Sequence, residues 1–152
     1  MTRTRFVIGI LVLLTGAVLM SQAQGTWMVT VTPPVISGRP AFNALITFSV
    51  GGALIVSTQN DHLADAGIQQ GTWRRTGSNQ ITSTQLWFVY APTGDAVGTV
   101  KVRAVYDFSN ANDLTGSGQQ LLCDLTGSNC TLLPGLASFQ GKRVQVEELV
   151  TP

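Results

Sequence analysis

The chain has 152 residues, of which 44% are hydrophobic and 11% charged, with a formal net charge of +1 at pH 7. Nine basic and eight acidic side chains spread along the chain make no electrostatic footprint for nucleic acid or an acidic membrane surface. The length suits one domain, large enough to bury a core without metals or a dense disulfide framework.

Arg3 and Arg5 precede an apolar run from Phe6 to Met20, and Ser21-Gln22-Ala23 follows with small residues at the −3 and −1 positions. This is the pattern of a secretory signal peptide over residues 1–23. The run is 15 residues long, short of the ~20 that cross a bilayer core as a helix. The expectation is an exported protein, periplasmic or extracellular, with one domain over 24–152 and no membrane span in the mature form. Without Arg3 and Arg5, seven basic residues face eight acidic ones, a formal charge of −1.

From residue 26 onward, short β-branched and aromatic runs alternate with Gly, Asn, Asp and Pro, and no segment keeps a helical period. "TWMVTVT" puts Trp27, Val29 and Val31 on one face and ends at Pro33-Pro34, which cannot donate to a ladder. "AFNALITFSV" and "ALIVSTQN" flank Gly51-Gly52, a hairpin signal. The polar loop "DHLADAG" holds the only histidine, His62, with Asp61 and Asp65. It reads as a solvated turn in preference to a metal site, so no metal and no cofactor is expected.

"IQQGTWRR" follows. Trp73 and Arg75 share one face of it and Thr72 and Arg74 the other, so the two arginines do not form a clamp. In "QITSTQLWFVYA", Trp87 and Val89 oppose Leu86, Phe88 and Tyr90; the inward side is open, and the outward aromatic set is a candidate seam for self-association, or lies under a loop. "VGTVKVRAVYDF" sets Val100, Val102, Ala104, Tyr106 and Phe108 against Lys101, Arg103 and Asp107. After the turn "SNANDLTG" come "SGQQLLC" and a final strand "SFQGKRVQVEEL", with Val144 and Val146 opposing Arg143, Gln145 and Glu147.

Cys123 and Cys130 enclose six residues around a Thr-Gly-Ser-Asn turn. In an exported chain a structural disulfide is favoured over a redox or zinc pair. Eight strands with short connections and no covering helix point to an all-β, eight-stranded antiparallel up-and-down barrel, with a β-sandwich as the alternative.

Gly25-Thr26-Trp27, opening the first alternating strand, resembles the Gly-x-Trp that begins lipocalin and wider calycin barrels. The resemblance implies that Trp27 plugs the closed end under a cation from the last strand, Arg143 or Lys142. A small apolar ligand would then sit among Val29, Val31, Phe48, Leu54, Trp73, Val102 and Tyr106, with Arg75 near the rim, unless those side chains fill the barrel themselves. No residue constellation argues for catalysis. A structural or protein-interaction role and a barrel enzyme, for instance one using Arg75 and Asp107, stand behind ligand binding.

Overall fold

The computed structural model describes residues 22–59 and 68–149. Nine strands lie within them: β1 (Gly25–Thr32), β2 (Phe42–Phe48), β3 (Ala53–Thr58), β4 (Gln69–Arg75), β5 (Gln80–Tyr90), β6 (Ala96–Phe108), β7 (Asp113–Cys123), β8 (Cys130–Leu132) and β9 (Ala137–Arg143). A single 3-10 turn, Val35–Ser37, interrupts the β1–β2 connection.

Each strand from β1 to β7 pairs antiparallel with the next, and β9 pairs with both β7 and β1. One sheet therefore closes on itself as an eight-stranded up-and-down barrel, with β8 as an extra short strand. A sandwich needs two separate sheets, and here the ladder runs unbroken round the molecule. Closure gives the backbone N–H and C=O groups partners that an open sheet would leave exposed at its edges.

The end of the chain departs from the expected eighth strand. β9 stops at Arg143, whose partner on β1 is Trp27, and the last ladder bond runs from Val144 N to Thr26 O at 2.9 Å. The ladder ends there, one residue short of the start of β1, and Val146 is fully exposed despite its alternating pattern. At its other end the strand is broken. β7 pairs with β9 through Asp113–Gly118 and with β8 through Leu121–Cys123. Between the two, Leu133 N still donates to Gln120 O, and Pro134 then has no backbone N–H to offer the ladder.

Two turns are also shifted. β7 begins at Asp113, so the connection from β6 is shorter than expected. The β2–β3 connection comprises residues 49–52, with Ser49 N bonded to Ala53 O.

Inward and outward residues follow the period of two set by the pleat. One half of the interior is solid. Trp27, Val29, Phe48, Leu54, Ile81, Tyr106, Phe108 and Leu114 are all essentially fully buried there. Their rings meet edge-on or tilted: Phe48 lies 5.3 Å from Tyr106 and 5.9 Å from Trp73, and Trp27 lies 5.2 Å from Phe108. Such geometry favours aromatic quadrupoles beyond simple area burial.

Phe139 stacks on Tyr106 at 5.4 Å, and glycine makes the room for it. A Cβ at Gly118 would lie 2.8 Å from Phe139 Cζ, and one at Gly116 3.2 Å from its Cδ2. A larger residue at either position would push the ring off the tyrosine. The packed half thus ends in an aromatic floor, and the other half of the barrel is hollow.

Candidate functional site

The hollow half is a cavity of about 590 Å³, within the range of small-molecule sites. Its wall is made by alternate residues of the barrel strands: Val31 from β1, Ala44 and Ile46 from β2, Val56 from β3, Val100 and Val102 from β6. Tyr106 and Phe139 form the floor. The far end is flanked by Pro33, Pro34 and Ile36 after β1 and by Leu133–Gly135 before β9. These two connections touch, since a Cβ on Gly135 would come within 2.5 Å of Pro34 Cβ. Arg39 is the single charged side chain among the described residues that line the cavity, and it is solvent-exposed.

β5 settles the side left open by its sequence. Its register with β6 sets Gln85 opposite Val102 and Trp87 opposite Val100, so Gln85, Trp87 and Val89 line the cavity. Leu86, Phe88 and Tyr90 point outward. The self-association candidates therefore separate: Trp87 and Val89 belong to the interior, whereas Phe88 and Tyr90 are 49% and 38% exposed on the outer face, their rings 6.4 Å apart.

Ser37, Thr58, Gln119 and Gln120 line the cavity as half-buried or exposed side chains, and one polar pair lies deeper. Gln69 on β4 and Gln85 on β5 are both buried, and Gln85 Nε2 donates to Gln69 Oε1 at 3.0 Å. Gln85 Oε1 is buried without a partner among the described residues. An acceptor left in that state costs about 1–3 kcal/mol. Ser83 Oγ, beside the Tyr106 phenol, also falls short of hydrogen-bond geometry with any described residue. Burial pushes the pKa of that phenol far above its ordinary value, which the nearby serine only partly offsets.

The residues expected from the sequence are divided between three places. Val31, Val102 and Tyr106 line the cavity. Val29, Phe48, Leu54 and Trp73 lie in the packed half beneath it, where Trp73 Nε1 donates to Ser49 O at 3.1 Å. Arg75 is at neither place. β4 runs away from the cavity, so Arg75 sits six residues past Gln69, roughly 20 Å along the strand. There it is exposed and donates from Nε to Gly77 O at 2.8 Å. Asp107 faces outward and accepts from Gln80 Nε2, so it does not meet Arg75 inside the barrel. Across from Trp73 stands Ser83, with Thr82 and Thr84 turned to the outer face.

At the closed end Trp27 is fully buried and its indole N–H donates to Ala23 O at 3.0 Å. Arg143 Cζ lies 4.5 Å from the indole centroid. Its guanidinium donates to Ala111 O at 2.6 Å and to the carbonyls of Gln22 and Gln24. Partial burial lowers the Arg143 pKa from its usual value. Lys142, the alternative cation, points outward and pairs with Asp113.

Cys123 and Cys130 are cross-strand neighbours on β7 and β8 and form a disulfide. The loop they close folds onto the outer face of β6. Thr99 Oγ1 donates to Asp124 O at 2.9 Å, and Lys101 Nζ to Gly127 O at 2.5 Å. It covers Leu86 and leaves Phe88 exposed beside it. The Asp124 carboxylate organises the loop, accepting from the Thr126 hydroxyl and from the amides of Thr126 and Ser128. The Thr126 hydroxyl foremost, then the Ser128 amide, hold its pKa far below the usual carboxylate range.

The loop with Asp61, His62 and Asp65 lies outside the described residues. Gln69, Gln85, Trp87 and Arg39 were not among the expected site residues. The signal for the glutamines was there: Gln69 is four residues before the inward Trp73, and Gln85 two before Trp87, each at an even spacing. Their polarity masked it, because a polar residue in an alternating strand ordinarily faces water. Comparison with protein-family models, curated proteins and solved structures finds no match to this chain.

Proposed function

We propose that the protein is an exported barrel that carries one small apolar ligand and performs no catalysis, a lipocalin-like protein of the calycin kind. The cavity is the observation that carries this reading: it is walled mainly by Val, Ile, Ala, Trp, Tyr and Phe side chains and bounded below by packed aromatics. Gly25-Thr26-Trp27 at the start of β1, with Trp27 under Arg143 at the closed end, supports the kinship. The outer face is the wet one. It carries Arg74, Lys101, Arg103, Asp107 and Lys142 among threonines and serines, the reverse of a barrel that faces lipid.

Export is supported by the basic and apolar start of the chain, most of which lies outside the described residues, and by the disulfide. Purified exported protein is expected to have the mass of residues 24–152. Titration with N-phenyl-1-naphthylamine, a neutral fluorophore that brightens in apolar surroundings, tests the binding site. A saturable, displaceable signal with one site per chain is expected, together with a co-purifying small molecule in native mass spectrometry. A dark titration and a ligand-free mass would count against carriage.

The exposed Phe88 and Tyr90, with Ile68 and Leu125 near them, favour a second reading in which this outer face joins two copies of the chain. Light scattering that finds a monomer at high concentration, unchanged by Phe88→Ser, would remove it.

A further inference from the structure

Building on the carrier reading, we infer that the ligand is an uncharged apolar molecule bearing a hydroxyl, and that the hydroxyl is held inside the barrel by the Gln69–Gln85 amide pair. The two amides occupy adjacent strands, both line the cavity, and both are more than nine-tenths buried, whereas the other polar side chains of the lining, Ser37, Thr58, Gln119 and Gln120, are half-buried or exposed. They satisfy one hydrogen bond between them, and Gln85 Oε1 has no further partner among the described residues. A barrel that only needed to exclude water would be better served by leucine at either position. A buried acceptor without a partner is the mark of a site that meets one when occupied.

The chemistry of the amide pair selects among apolar ligands. A hydrocarbon offers it nothing and leaves Gln85 Oε1 stranded. An ionised carboxylate accepts only, and no cation faces the pair: the one charged lining residue, Arg39, belongs to the connection at the far end, between the 3-10 turn and β2. A carboxylate head would therefore stay at Arg39 in solvent. A hydroxyl donates and accepts, so it serves the pair whichever way the two side-chain amides are turned. The apolar remainder of such a ligand then lies along Val100, Val102, Ile46 and Val56.

The test is displacement of N-phenyl-1-naphthylamine from the intact protein by 1-decanol, decane and decanoate, which share a chain length. Decanol is expected to displace the probe at concentrations about tenfold or more below the other two. In Gln85→Leu the order of decanol and decane, each referred to that variant's own affinity for the probe, should level or invert. Gln69→Met repeats the comparison on the other strand and replaces it where Gln85→Leu does not fold. If decane or decanoate competes as well as decanol, or the order survives both substitutions, the hydroxyl inference is overturned while carriage stands. If the probe binds saturably to neither wild type nor variants, carriage itself fails and the inference with it.

Discussion

Trp27 shows how one side chain settles one end of the barrel. Its ring fills the closed end and Arg143 lies over its face. The cation–π contact adds about 1 kcal/mol, small beside the burial itself. Trp27→Ala is expected to destabilise by about 3–5 kcal/mol, read as a lower denaturant midpoint, because the cavity it leaves opens against Phe108. Arg143→Met should lose less but leave the carbonyls of Gln24 and Ala111, both retained in residues 24–152, without their donor.

Asp124 gives a pH prediction at the same scale. Its folded pKa is depressed, so its contribution is complete above the ordinary carboxylate value of about 4 and is lost as pH falls through the folded value. The amides of Thr126 and Ser128 should therefore stay protected at neutral pH and lose protection only in strong acid. Asp124→Asn should flatten that acid dependence. Asp113 is depressed as well, chiefly by its bond from Lys142, so the readout must be those two amides and not global stability.

At the scale of elements, the broken β8–β9 path is the feature least legible beforehand. The run Ser138–Leu149 alternates as a strand should, yet only its first part finds neighbours on β1 and β7. Alternation describes a residue's preference for a pleated surface, and pairing decides whether the surface exists. β8 has three residues, and the disulfide joins one end of it to β7. Replacing both cysteines by serine should cost about 2.5 kcal/mol on the chain-entropy model. It should also free the loop from Thr99 and Lys101, exposing Leu86 and enlarging the apolar outer face next to Phe88. Increased binding of a hydrophobic dye in the double variant, with the barrel still folded, checks this.

For the molecule as a whole, the division of the interior into a packed half and a hollow half carries the function. Ala44 lines the hollow half and is buried, so a larger side chain there points into empty space. Ala44→Phe is expected to retain or raise the melting temperature while reducing naphthylamine binding at least about tenfold. Loss of folding instead would mean that the space is not available to a ring.

The sequence by itself determined the local grammar: strands where β-branched and aromatic residues alternate, breaks at Pro33-Pro34 and "PTGD", a cystine between Cys123 and Cys130, and closure in the absence of a covering helix. These follow from period, turn chemistry and backbone hydrogen bonding, which are local or nearly so. Only the tertiary structure decided which face of β5 looks inward, since that depends on its register against β6 across the barrel. It also decided that Val29, Phe48, Leu54 and Trp73 pack solid while Val31, Val102 and Tyr106 border a void. Which side chains meet in the interior depends on how far along each strand they lie, and that is set jointly by all eight strands. For the same reason Arg75 stands at the wrong end for a ligand, and Gln69 and Gln85 stand in the wall of the cavity.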